Sequence, residues 1–266
     1  MGSSSTSWVG WSLRCPVVTS RTQGTSWTCP LCGSSGPRER EDALPSWIRR
    51  YAEKQPGGPY VGTAYGRPYS GRRPPAFRVP VCGLCNRWMG RTFEEPAQSA
   101  LVPLLKGYPH TLLPDGQRVI ARWTAKSALM QALFDLPEDQ ALLEVCRTFR
   151  ATGEPLAGCQ VFIGRYADSG RLPSTPAPSP AVAKPPTHRQ APSGARLEAI
   201  TFNPILGHFV AQFFLPLTAS RLESTAARLG LVIPIWPLPG RPVTWPPEQS
   251  FTVENAFLRD VLKLIP

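Results

Sequence analysis

Two Cys-x-x-Cys pairs stand out first: Cys29 and Cys32 in "CPLCG", and Cys82 and Cys85 in "CGLCN". Two residues between thiolates let both reach one tetrahedral ion, so two such pairs complete the four-thiolate set that holds zinc, with four buried free thiols or two disulfides as the plainer reading. Gly33 and Gly83 suit the tight turns such knuckles need. Four thiolates leave no open coordination position, so the expected zinc is structural and not catalytic. The 49 residues between the pairs exceed the gap of an ordinary zinc ribbon, so the metal has to clip a long insertion shut. The other three of the seven cysteines, Cys15, Cys146 and Cys159, stand alone, and the last two are expected to pack in the interior.

The insertion carries the second chemistry. "EREDALPSWIRR" places Glu41 and Asp42 ahead of Pro45, Trp47 and a short basic helix with Arg49 and Arg50. "GRPYSGRRPPAFRVPVC" adds Arg67, Arg72, Arg73 and Arg78, and Tyr60, Tyr65, Tyr69 and Phe77 are interleaved along the insertion. Between Arg38 and Arg91 there are 11 Lys/Arg against 4 Asp/Glu. Guanidiniums for phosphates and rings for bases are the pattern of nucleic-acid contact, so DNA or RNA is the expected partner and these six arginines the expected contacts. A solvated Arg/Pro loop is the plainer reading of the same residues.

The whole chain agrees with that charge. Its 266 residues carry 29 Lys/Arg and 18 Asp/Glu, a net +11, which biases a protein toward polyanions. No apolar run is long enough to span a membrane, and "MGSSSTSWVGWSLRCP" lacks the basic start and apolar core of an export signal. "MGSSST" matches a myristoylation pattern only formally. Paired cysteines without an export signal point to metal and a cytoplasmic location, with no membrane partner expected.

Five stretches have to position these groups. Residues 1–27 read as a disordered arm. Residues 28–107 hold the four cysteines and the Arg-rich insertion. Residues 108–166 are expected to be helical, closing on a strand. Residues 167–196 are a Pro/Ser/Ala linker that takes many of the chain's 32 prolines. Residues 197–266 are expected to form a small α+β part. Within the helical region, "PDGQRVIARWTAKSALMQALFD" predicts a helix capped by Asp115, with Val119, Trp123, Met130 and Leu133 on one face. Pro137 can open the next helix, in which Leu142, Cys146 and Phe149 face inward until Gly153 and Pro155 stop it.

"CQVFIGRY", "LEAITFN" and "HFVAQFFL" predict strands, the last two joined through "PILG". Thr218 is expected to cap a helix over "ASRLESTAARL". "LVIPIW" predicts an edge strand because of Pro234. Thr252 is expected to cap a last helix with Phe257, Val261 and Leu264 inward.

Taken together, Cys29/Cys32, Glu41 and Asp42, Pro45 and Trp47, Cys82/Cys85, Asn86, Trp88 and Met89 resemble bacterial HNH-endonuclease-like proteins, whose pattern runs Cys-x-x-Cys, Glu-His-x-x-Pro-x-Trp, Cys-x-x-Cys-Asn. A Trp-and-Lys helix is matched by Trp123 and Lys126, and "IWP…WPP" resembles the family's tail. The resemblance implies a zinc-stabilised treble-clef, or ββα-metal, module within an α+β fold. It also implies a His that deprotonates the attacking water while one divalent ion, Mg²⁺ or Mn²⁺, stabilises the leaving oxygen. Carried over by position, Glu41, Asp42 and Asn86 are the candidate catalytic residues. Asp42 stands where the family has its His, and carboxylates are weak bases at neutral pH, so the chemistry is expected to be impaired or lost. The spacing from Asn86 to Trp88 is one residue short of the family's.

Three readings follow: a nucleic-acid-binding HNH-like protein without effective cleavage, an active metal-dependent endonuclease, and a zinc-stapled protein-interaction module. His110, His188 and His208 are the only histidines, and none lies in a motif that makes it a substitute base.

Overall fold

The computed structural model describes residues 27–54, 60–64, 67–71, 76–167, 199–217, 221–252 and 262–265. Cys15 and the arm before Trp27, and most of the Pro-rich linker with His188, lie outside them.

Strand β1 (Arg38–Asp42) follows the first cysteine pair and leads into helix α1 (Ser46–Glu53). Strands β2 (Tyr60–Ala64) and β3 (Arg67–Gly71) make a hairpin inside the insertion. Strand β4 (Arg78–Cys82) then returns antiparallel to β1, with Arg38 opposite Cys82 and Asp42 opposite Arg78. This ladder carries the chain back over the long insertion and sets the two cysteine pairs side by side. Helix α2 (Gly83–Met89) runs directly out of β4 and packs on the β1–β4 hairpin. A π-helical turn (Gly90–Glu94) joins it to helix α3 (Glu95–Leu105). Such a turn re-aims the residues that follow it, and here it sends Phe93 into the core.

A three-residue strand β5 (His110–Leu112) precedes helix α4 (Pro114–Asp135). Every residue of α4 from Trp123 to Gln131 is buried, because α3, α5, β4 and the main sheet surround it. Over that stretch the expected one-sided apolar face is therefore a helix buried all round, while Asp115 and Arg118 in its first half are exposed. Asp115 does not cap it: Leu113 is the N-cap, Pro114 takes the first turn, where its missing N–H costs nothing, and Asp115 follows. Helix α5 (Gln140–Thr152) starts later than Pro137, because the Asp139 side chain caps it by accepting from the Leu142 amide at 2.8 Å. Leu142, Cys146 and Phe149 are buried, and Gly153 at φ 67° ends the helix.

The main sheet is antiparallel. Its strands are β6 (Gln160–Arg165), β7 (Ala199–Phe202), β8 (Ile205–Leu206), β9 (Phe209–Pro216) and β11 (Val232–Trp236), with the order β11-β6-β9-β7 and β8 also on β9. β11 lies at the edge, as Pro234 requires, and its register shifts between Pro234 and Trp236. β6 precedes the linker and β9 follows it, yet Gln160 lies opposite Phe214. The two parts of the chain thus share one sheet, and one apolar core runs from Cys29 through α4 to Trp245.

The expected helix over residues 219–229 is instead strand β10 (Arg221–Ser224) followed by a single turn, α6 (Thr225–Arg228). Ser224 caps that turn through the Ala227 amide at 3.1 Å, while Thr218 lies outside the described residues. Strand β12 (Val243–Trp245) pairs with β5. The expected last helix also fails at its end: Leu264 sits in strand β13 (Leu262–Ile265), paired with β10, while Phe257 and Val261 lie outside the described residues. Local helix propensity loses to strand pairing in both places.

Candidate metal centre and nucleic-acid interface

The loop before β1 bends sharply between the first two cysteines. The Gly33 amide donates to the Cys29 carbonyl at 2.8 Å, the Cys29 amide to the Ser34 carbonyl at 3.0 Å, and Gly33 takes φ 72°. The second pair is built differently, with Cys82 ending β4 and Cys85 in the first turn of α2. All four Sγ atoms lie within 4.8 Å of one another, with Cys32 and Cys82 at 3.6 Å. Four sulfurs around one ion at Zn–S distances of ~2.3 Å stand about 3.8 Å apart, so a tetrahedral ion fits this cluster with small adjustments. Cys29, Cys82 and Cys85 are buried and Cys32 is exposed. The Cys82 amide donates to Cys29 Sγ at 3.4 Å. A Cβ on Gly83 would stand 2.6 Å from a Glu39 carboxylate oxygen, so glycine lets α2 start this close to β1.

Burial pushes the Cys29 and Cys85 thiols up. Burial also acts on Cys32, but hydrogen bonds from the Ser34 hydroxyl and amide and from the neighbouring thiols outweigh it and bring that thiol down to about 6. An incoming ion therefore meets Cys32 ready to ionise and displaces protons from Cys29 and Cys85. Arg150 of α5 pulls the Cys85 thiol down against burial, and its guanidinium lies 4.2 Å from the centre of the Trp88 ring. Its positive charge faces a site that four metal-bound thiolates would make negative. Cys146 and Cys159 are core residues whose thiols burial pushes up.

The strand between the knuckles sorts its charges by face. Successive side chains of a strand alternate, so "RERED" sends Arg38, Arg40 and Asp42 one way and Glu39 and Glu41 the other. Arg38 and Arg40 are exposed, and Arg38 lies over the Trp27 ring at 5.1 Å. On the opposite face Glu39 accepts from Asn86 Nδ2 at 2.6 Å and has Arg87 4.0 Å away.

Glu41 is only 5% exposed and pairs with Lys126 of α4, which is fully buried. Lys126 Nζ also donates to Glu94 Oε1 at 2.7 Å and to the Asp42 carbonyl at 2.8 Å. Burial raises the Glu41 carboxyl, Lys126 pulls it back, Glu94 pushes it up again, and it ends at about 7. Burial lowers the Lys126 ammonium, but the two carboxylates outweigh that and raise it. One ammonium thus serves two carboxyl groups, and near neutrality a proton on Glu41 leaves the buried cluster without net charge.

Asp42 faces outward into two guanidiniums. Arg49 Nη2 donates to its Oδ2 at 2.6 Å and Arg78 Nε to its Oδ1 at 3.0 Å. Arg78 is 45% exposed and Arg49 only 14%. Arg50 is exposed at the end of α1, Arg67 opens β3, and Arg72 and Arg73 lie outside the described residues. Glu41, Asp42 and Asn86 are therefore held by three different partner sets, on Lys126, on Arg49 with Arg78, and on Glu39.

The paired cysteines were legible from spacing, and Lys126 stood in the sequence only as part of the resemblance. Glu94 and Arg150 carried no sequence signal, since only tertiary packing brings them to Lys126 and Cys85. His110 is exposed in β5, and His208 Nδ1 lies 2.7 Å from the Tyr166 carbonyl with its ring against Gly107. Among the described residues no helix is long and apolar enough to cross a membrane. Compared with protein families, curated proteins and solved structures, the chain finds no match in any of the three.

Proposed function

We propose that this protein is a zinc-bound, HNH-like nucleic-acid-binding protein that contacts DNA or RNA without cleaving it. The observation that carries this reading is the charge-sorted β1–β4 hairpin. Its acidic residues Glu39 and Glu41 turn toward α2 and α4, while Arg38, Arg40 and Arg78 line the exposed face. A local sequence of nearly balanced charge thus yields a basic surface, continuous in the chain with the Arg-rich insertion. Backbone phosphates bind such a surface without regard to base sequence.

The order cysteine pair, β1, insertion, β4, cysteine pair, α2 is the order a ββα-metal module needs, which supports the HNH-like assignment. The four-thiolate donor set supports zinc as the ion. Loss of cleavage is supported by the occupation of both Asp42 oxygens by guanidiniums and of Glu41 by Lys126. With nothing bound, neither carboxylate is free to activate water or hold Mg²⁺ or Mn²⁺, and a released Asp42 is still a weak base at neutral pH. The active-endonuclease reading needs one of them free.

The zinc-loaded protein is expected to retard duplex DNA on a gel while leaving supercoiled plasmid intact in Mg²⁺ or Mn²⁺ at neutral pH. Robust nicking by the native protein that disappears in Asp42→Ala would contradict the loss of catalysis.

A further inference from the structure

We propose that Arg49 and Arg78 form a phosphate site that the chain's own Asp42 keeps filled, so that a backbone phosphate enters by displacing this carboxylate. The inference rests on the nucleic-acid reading for the identity of its ligand, a phosphate monoanion of a polynucleotide.

Three observations carry it. The two guanidiniums come from different elements, α1 and β4, and converge on one carboxylate. A pair of converging guanidinium forks fits a phosphate as well as it fits a carboxylate. The donors also exceed the acceptor: each guanidinium offers about five N–H groups, and the Arg49 Nε is buried without an acceptor. A phosphate has more oxygens to give. Finally, the charge does not balance, since two cations face one anion. Arg38 and Arg40, on the same face of β1, are both exposed, and neither has a carboxylate across the β1–β4 ladder. Arg78, nearly half exposed, gives a ligand access from solvent.

The plainer role for this bridge is to staple α1 to the hairpin, and the two roles separate in Asp42→Asn. Removing the resident anion opens a phosphate site but only weakens a staple. Calorimetry with inorganic phosphate, and duplex binding across a salt series, are measured on the zinc-loaded full chain. Glu95→Gln serves as the control for a charge removed elsewhere on the surface.

Asp42→Asn is expected to bind inorganic phosphate at least ~10-fold tighter than the native protein and to steepen the duplex salt slope by about one phosphate contact. Glu95→Gln is expected to do neither, and Asp42→Asn/Arg78→Gln to lose both gains. The proposal is overturned if Asp42→Asn, with zinc and a native melt, binds phosphate no tighter than wild type. It is also overturned if the gain survives Arg78→Gln or appears equally in Glu95→Gln. Asp42→Ser repeats the test should Asp42→Asn not fold, and failure of both to fold overturns the proposal too, because a bridge the fold cannot lose is not displaceable. Phosphate binding gained in Asp42→Asn without any duplex binding would leave the site standing and remove the nucleic-acid reading.

Discussion

Neighbouring residues of β1 end in opposite environments, and that contrast decides what each can do. Asp42 is a surface anion shared by two arginines; Glu41, one peptide bond away, is buried on Lys126. Only the strand's period of two separates them, and the sequence pattern "RERED" already contained that period. What it did not contain was the partner of each carboxylate, because Glu41 pairs with Lys126 on the distant helix α4 and Asp42 with Arg78, 36 residues on. The Glu41 carboxyl, raised to about 7, makes a pH prediction with a definite sign. A raised carboxyl binds its proton more tightly in the folded state, so its stabilising contribution is complete below the unfolded value and is lost as pH rises through about 7. From pH ~5 to ~8 the native protein should therefore lose about 2–3 kcal/mol relative to Glu41→Gln, which has no proton to lose. Chemical denaturation of both proteins at the two pH values checks it; parallel pH profiles would show that Glu41 does not hold this proton.

At the scale of elements, α5 has a role that its apolar periodicity does not announce. Its buried face was legible from Leu142, Cys146 and Phe149, but Arg150, beside them, reaches the cysteine cluster and stacks on Trp88. Partners behind the ligands of a metal site typically change metal affinity by about 10–100-fold. Arg150→Met, which keeps much of the length and loses the charge, should release zinc to a chelator correspondingly faster, from about one zinc per native chain. Metal analysis and chelator-competition kinetics read both numbers. Native protein purified under reducing conditions without metal would contradict the cluster's assignment. Helices α4 and α5 were read well, apart from boundaries shifted by Pro114 and Asp139. The C-terminal "RLESTAAR" was not, because its first half pairs with β13, which local propensity cannot see.

For the whole molecule, the informative feature is that one sheet and one core unite stretches separated by a Pro-rich linker. Composition divided the chain at the Pro-rich stretch but could not tell whether the parts on either side pack together, since strand pairing across such a distance leaves no local mark. The paired cysteines were legible because their spacing is itself the geometry of the site. The basic face was legible as net charge, and only the fold sorted it onto one side of a hairpin. The central claim, a nucleic-acid surface on that hairpin, is tested most directly by duplex affinity across a salt series for the native protein and for Arg38→Gln/Arg40→Gln/Arg78→Gln. Each lost phosphate contact should lower the slope of log K against log salt by about 0.9. The account predicts a steep slope for the native protein and one shallower by roughly two to three in the triple variant. No duplex binding by the native protein at low salt, or a triple variant with native affinity and slope, would contradict it.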